Sequence, residues 1–109
     1  MTSLFYNSYS LNTLKVKNFV TSNVVSMTNM FYNCAALTSL DITNFDTTKV
    51  TNMISIFEKC TGLTMLNISN FYPNSCYDYS KMFFGCSNLL YVNFYNYFED
   101  EESTMYIFY

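Results

Sequence analysis

The sequence predicts an α/β fold: a right-handed solenoid of about four 26-residue coils, each with a short parallel strand and a short helix. Leucines recur every 26 residues at the start of successive units, and the second half of each unit has apolar residues at the spacing of a helical face. Half of the residues are hydrophobic and only 12% are charged, which is too apolar for a disordered chain. One ordered, repetitive domain is therefore expected.

The repeat divides the chain without gaps. Units 11–36, 37–62 and 63–88 are full repeats, whereas 1–10 matches only the second half of a unit and 89–109 a degenerate C-terminal coil or cap. Because no coil can bury its own apolar residues, neighbouring coils must stack and supply each other's core. Residues 1–109 are thus predicted to form a single solenoid.

Each unit contains two different periodicities. Leu14 and Val16 alternate with outward residues, as in a strand, whereas the next apolar residues follow the 3, 4, 7 spacing of a helical face: Met27, Met30, Phe31 and Cys34. Helix N-caps are predicted one residue earlier, at Ser26, Asn52, Asp78 and Thr104. A column of asparagines just after the strand is expected to bond the turning backbone: Asn18, Asn44, Asn70 and Asn96.

The composition argues against several classes of function. The net charge is −3 and arginine is absent, so a nucleic acid is not an expected partner. No apolar run reaches the roughly 20 residues of a membrane span. The chain has no histidine, few glycines and scattered carboxylates, so we expect no enzyme, catalytic residue or cofactor. The acidic run 99–102 lacks the alternating oxygen ligands of a calcium loop, and no metal site is expected.

The cysteines leave two interpretations open. Cys34, Cys60 and Cys86 are equivalent in the repeat, with Ser8 in the same position of the first half-coil and Cys76 elsewhere. Stacked neighbours could come within disulfide range. A linear column does not converge on one metal ion, however, and small buried reduced thiols are the favoured interpretation.

Two stretches show what the repeat is similar to: LNTLKVKNFVTSNVVSMTNMFYNCAAL and LTSLDITNFDTTKVTNMISIFEKCTGL. Their Met, Phe and Cys at fixed offsets resemble the BspA-like branch of leucine-rich repeats, found on surface proteins of bacteria and some protists, including mycoplasma-type lipoproteins. The resemblance implies a leucine-rich-repeat-like solenoid with a role in attachment or partner binding at the cell surface. The third unit departs from the pattern at 72–76, and the pattern ends after Tyr97.

The outward side of the strands is the predicted binding surface for a protein partner. It changes from basic in the first coil to tyrosine-rich in the last, and its candidate residues are Lys15, Lys17, Asp41, Met65, Asn67, Tyr91, Asn93 and Tyr95. Tyrosines are effective amphipathic anchors in such surfaces. The alternative is an ordinary solvated sheet face with a Lys15–Asp41 cross-strand pair.

A structural role is the competing functional hypothesis. Residues 1–10 and the apolar stretch 105–109 look like uncapped coil edges, which would stack on a neighbour or on another copy in a virion, filament or multi-protein complex. The start of the chain has no signal-peptide pattern, so the expectation is an intracellular or intra-virion protein, or a piece of a longer one.

Overall fold

The computed structural model describes residues 1–71 and 75–94, with the side chain of Phe94 excluded. Two strands are present in this part of the chain, β1 (Met65–Ile68) and β2 (Tyr91–Phe94). They pair in parallel with Met65 opposite Tyr91 and Ile68 opposite Phe94. Partners are therefore 26 residues apart, and the predicted repeat sets the register of this sheet.

The same period joins the other described coils. Isolated parallel bridges connect Ser26 to Asn52 and Asn52 to Asp78. Buried Thr21 adds a side-chain link, since its hydroxyl donates to the Asp46 carbonyl at 3.1 Å and accepts from the Asp46 amide at 2.8 Å. Successive units thus lie on top of one another as stacked coils.

The prediction of one short helix per coil is wrong for the described residues, which contain no helix. Residues 27–34 and their equivalents, here called the turn segments, form successive tight turns. Within them Met30 N bonds Met27 O and Cys34 N bonds Phe31 O, both at 3.2 Å. Alternate amides instead reach the next coil, as Phe31 N does to Ile56 O at 2.9 Å.

Left-handed backbone explains why these turns cannot join into a helix. Two residues of every turn segment have a φ of 55° to 75°, far from the negative φ of an α-helix: Ser3, Asn7, Asn29, Asn33, Ser55, Lys59, Lys81 and Gly85. These positions recur every 26 residues, so the strained turns are part of the repeat. The predicted N-cap residues Ser26, Asn52 and Asp78 accept a bond from the amide two residues on, but each caps a turn and not a helix: Asn52 Oδ1 accepts from Ile54 N at 3.0 Å. Thr104 lies outside the described residues.

A strand was also predicted in every coil, and only the coils of Met65 and Tyr91 contain one among the described residues. In the earlier coils the asparagine column takes over part of the backbone bonding. Asn44 Nδ2 lies 3.0 Å from Lys17 O, and Asn70 Nδ2 lies 2.8 Å from Phe45 O. The predicted role of this column is confirmed at both residues. The right-handed sense and the unit boundaries stay predictions.

The core consists of the residues that the repeat predicts. Phe31, Phe57 and Phe83 are buried and stack with centroids 5.6 and 5.5 Å apart and planes within 8° of parallel. Leu40 and Leu66 are buried in the same cluster, and Leu14 packs against it. The 3, 4, 7 spacing therefore identified the buried side chains correctly although the backbone is not helical.

Candidate functional site

The outward side of the strands forms a shallow groove across three coils. This strand groove has a volume of about 450 Å³ and is lined by Ser39, Leu40, Asp41, Thr43, Met65, Leu66, Asn67, Tyr91 and Asn93. A second depression of about 470 Å³, the lysine hollow, is lined by Leu14, Lys15, Val16, Lys17, Asn18 and Asp41. Asp41 belongs to both. The structure thus brings together every candidate binding residue except Tyr95, which lies outside the described residues.

Exposed apolar side chains mark one end of the strand groove. Met65 is 58% exposed and Tyr91 is 59% exposed, and the two are register partners on the outer face of β1 and β2. The alternate residues Leu66 and Ile68 are buried, so the sheet keeps this pair directed outward. An aromatic and a thioether side by side in solvent form an apolar contact surface of the kind found at interfaces.

Asp41 is fixed where the two depressions meet. Its Oδ1 accepts from Thr43 Oγ1 at 2.7 Å and from Thr43 N at 3.2 Å, and its Oδ2 lies 3.0 Å from Lys17 Nζ. The Thr43 hydroxyl foremost, and then the Lys17 ammonium, lower the pKa of Asp41 to about 2. The carboxylate is therefore ionised and held by its own coil and the preceding one.

This ion pair corrects the expected Lys15–Asp41 pair. The bonds to Thr43, two residues along, orient the Asp41 carboxylate. Its other oxygen therefore pairs with Lys17, which is the repeat equivalent of Thr43 in the preceding coil. Lys15 is exposed, and no hydrogen bond or ion pair connects it to the described residues. The lysine hollow thus carries two cations and one anion, a net positive charge.

Asn67 repeats the geometry of Asp41 one coil later. Its Oδ1 accepts from Ser69 Oγ at 2.7 Å and from Ser69 N at 3.0 Å, which leaves its Nδ2 without a partner in the described part of the chain. Neither Thr43 nor Ser69 was among the candidate binding residues. The recurring Asp/Asn-x-Thr/Ser pattern in the sequence was the signal that could have identified these orienting pairs, because such side chains bond the amide two residues on.

The cysteine column lies in the core, where each thiol bonds the coil before it. Cys34, Cys60 and Cys86 donate to the carbonyls of Phe5, Phe31 and Phe57 at 3.2, 3.0 and 3.0 Å. All four thiols are free, and burial raises their pKa values, to about 11 for Cys34 and Cys86. A thiol that is buried and protonated is a poor nucleophile and a poor metal ligand.

Within residues 1–71 and 75–94, no cluster of three or more His, Cys, Asp or Glu is placed to hold a metal ion. A search of the same residues finds no helix with the length and apolar character to cross a membrane. The outward strand face presents exposed apolar, amide and charged groups.

Comparison with known proteins places this geometry in a family. A family model described as a Mycoplasma protein of unknown function, DUF285, matches residues 1–106. The chain belongs to this family. No curated protein matches it.

One solved structure has the same fold as this DUF285 protein. It is a leucine-rich cell surface protein from Faecalibacterium prausnitzii A2-165, with a TM-score of 0.55 and 20% sequence identity. The match covers 98% of this chain but only 25% of that protein, so the chain spans about a quarter of its length. The similarity shows a leucine-rich-repeat type of fold, and the predicted repeat class is confirmed at that level.

Proposed function

We propose that this DUF285 protein is a non-enzymatic recognition or adhesion module of a BspA-like surface protein, and that it binds a protein partner through the strand groove. The observation that carries the proposal is the outward pair Met65 and Tyr91, more than half exposed on an ordered parallel sheet. Burial of two such side chains against a partner would be favourable, because aromatic residues and methionine are enriched in interfaces.

The rest of the surface supports the same function. Asp41 and Asn67 are held by bonds within their own coils, so a partner would meet polar groups that are already oriented. The fold neighbour is described as a leucine-rich cell surface protein, which supports a location at the cell surface. Raised thiol pKa values and the absence of histidine give no support to catalysis.

The proposal can be tested with two matched double variants. Purified protein is bound to an array of secreted and cell-surface proteins, and the dissociation constant of each binder is measured for Met65→Ser/Tyr91→Ser. The control is Val25→Ser/Tyr77→Ser, which removes two side chains of similar exposure outside the groove (57% and 78%). We expect about a tenfold or greater loss of affinity for the groove variant only. Equal binding by both variants would contradict the proposal.

The second candidate function is a structural subunit that stacks on a neighbour, and the partly exposed apolar residues of the first coils support it. Phe5, Leu14 and Phe19 are only partly buried, whereas their equivalents Phe31, Leu40 and Phe45 are buried. Another solenoid edge would cover this partly exposed apolar surface. Light scattering over a hundredfold range of concentration tests this role: growth in mass that Leu14→Ser suppresses would support stacking, and a constant monomer mass would exclude self-stacking.

A further inference from the structure

We infer that the strand groove binds an extended polypeptide segment with a carboxylate about four positions from an aromatic or large aliphatic side chain. The inference rests on the proposed function and specifies the chemistry of the partner. It depends on three features of the outward strand face: the apolar pair Met65 and Tyr91, the amides of Asn67 and Asn93 in the same two coils, and a lysine of the first coil that has no ionic partner among the described residues.

The apolar end accepts one large side chain. Met65 and Tyr91 lie one coil apart in register, about 4.8 Å by the usual strand spacing. They lie on the outer face and are 58% and 59% exposed. A flat or branched side chain placed between them would contact both, as a central anchor does in a protein interface. A small polar side chain would leave this surface uncovered.

Two residues along the strands from the apolar pair, the same two coils offer hydrogen bonds to a main chain. Asn67 uses its Oδ1 internally and keeps two N–H donors free, and Asn93 forms no side-chain hydrogen bond with the described residues. Carboxamides that lie across an extended segment can bond its peptide groups, which carry both donors and acceptors. These two residues are adjacent in register and line the same groove.

The lysine hollow, which adjoins the strand groove at Asp41, favours a negatively charged group on the ligand. Lys17 and Asp41 neutralise each other at 3.0 Å, and Lys15 has no ionic partner among the described residues, so Lys15 sets the net charge of the lysine hollow. A carboxylate bound there would pair with Lys15, whereas a neutral ligand would leave the cation unused. This cation favours an acidic peptide over an uncharged glycan.

The geometry sets the spacing between the two groups on the ligand. Lys15 lies about two and a half coils from the midpoint of Met65 and Tyr91, and two residues further along the strand direction. With about 4.8 Å per coil and about 3.3 Å per strand residue, the separation is roughly 14 Å, or about four residues of an extended chain.

A random peptide library displayed on phage tests the inference, with counter-selection on Met65→Ser/Tyr91→Ser. We expect the enriched peptides to carry Asp or Glu three to five positions from Phe, Tyr, Trp, Leu or Met. For the best synthetic peptide, Tyr91→Ser should weaken binding about tenfold. Lys15→Gln should weaken it about threefold at low salt and have little effect at 1 M salt. Lys81→Gln, an exposed lysine on a turn segment, serves as the control.

The outcomes separate this inference from the proposed function. Peptides that lose binding with Tyr91→Ser but lack an acid and ignore Lys15→Gln would overturn the ligand chemistry and leave the recognition role intact. Groove-dependent binding to a neutral glycan and to no peptide would also overturn it. If no peptide is enriched over the counter-selection, the inference fails, whereas the recognition role fails only if the proteins bound on the array also bind Met65→Ser/Tyr91→Ser equally.

Discussion

The stacked phenylalanines allow the energetic role of coil stacking to be measured. Phe57 is fully buried between Phe31 at 5.6 Å and Phe83 at 5.5 Å. Burial of the side chain contributes about 1.5–3 kcal/mol, and each stacked ring pair adds about 0.5–1.5 kcal/mol. Phe57→Ala should therefore lower the free energy of unfolding by about 3–5 kcal/mol, in the range of buried Phe→Ala changes.

Phe5 provides the comparison, because it occupies the same repeat position in the first half-coil. It is partly buried and has one close stacked neighbour in its own column, Phe31 at 5.6 Å. With about half of the burial and one such ring pair, Phe5→Ala should cost about 2 kcal/mol. The difference of about 2 kcal/mol is the contribution of being covered on both sides.

Urea denaturation followed by far-ultraviolet circular dichroism measures both variants. At a slope of about 2 kcal/mol per molar urea, the midpoint should fall by about 2 M for Phe57→Ala and by about 1 M for Phe5→Ala. Phe57→Leu keeps most of the apolar surface but loses both ring pairs, so it should cost about 1–3 kcal/mol, less than Phe57→Ala. If Phe5→Ala and Phe57→Ala are equally destabilising, then stacking between coils is not what stabilises the column.

Four further predictions concern single residues and their contacts. Gly62→Ala places a Cβ 2.6 Å from the backbone carbonyl oxygens of Ala35 and Leu37, so it should lower the free energy of unfolding by about 1–3 kcal/mol, and an unchanged urea midpoint would contradict this. Thr43→Val and Lys17→Met should each raise the pKa of Asp41, measured by NMR titration, because each removes a hydrogen-bond donor that lowers it, and an unchanged pKa in both variants would contradict this. The folded pKa of Asp41 is near 2 and the ordinary value is 3.8, so its stabilising contribution is complete above about pH 4 and is lost as the pH falls through 2; acid unfolding of Asp41→Asn should lack this component. Cys60 should resist a thiol reagent at pH 8 until the protein is unfolded in urea, because burial raises its pKa, and rapid labelling of the folded protein would show that the column opens.

The sequence was sufficient to predict the core but not the backbone that forms it. A spacing of 3, 4 and 7 requires only that the chain direct side chains inward at those intervals, and tight turns do this as well as a helix. The signal for turns was present in Asn29, Asn33 and Gly85, since Asn and Gly tolerate positive φ best. Lysine and serine at equivalent positions, such as Lys59, concealed it, because they adopt the same backbone only under constraint from the neighbouring coils.

The candidate site was predictable to a similar extent. Alternation along the strand predicted the outward residues, and except for Tyr95, which lies outside the described residues, the structure places them in two depressions that share Asp41. The partner of Asp41 was not predictable from register alone, because Lys15 is its direct equivalent in the preceding coil. A hydrogen bond within the coil determines which lysine pairs with Asp41: Asp41 Oδ1 accepts from Thr43, and this orientation brings its Oδ2 close to Lys17. Strand register brings residues into the same region, whereas side-chain bonds within a coil determine which of them pair.

This difference between core and surface suggests how a repeat protein of this kind can change its ligand. The core columns should tolerate little variation, because Phe57 stacks between Phe31 and Phe83 and each thiol of the cysteine column bonds the coil before it. The outward strand residues Thr13, Ser39, Met65 and Tyr91 share one repeat position and differ in every coil. Since Met65 and Tyr91 are more than half exposed, replacing them changes the groove with little loss of burial. The groove variants proposed above should therefore fold with nearly unchanged stability, so that a loss of binding in them would report on recognition itself.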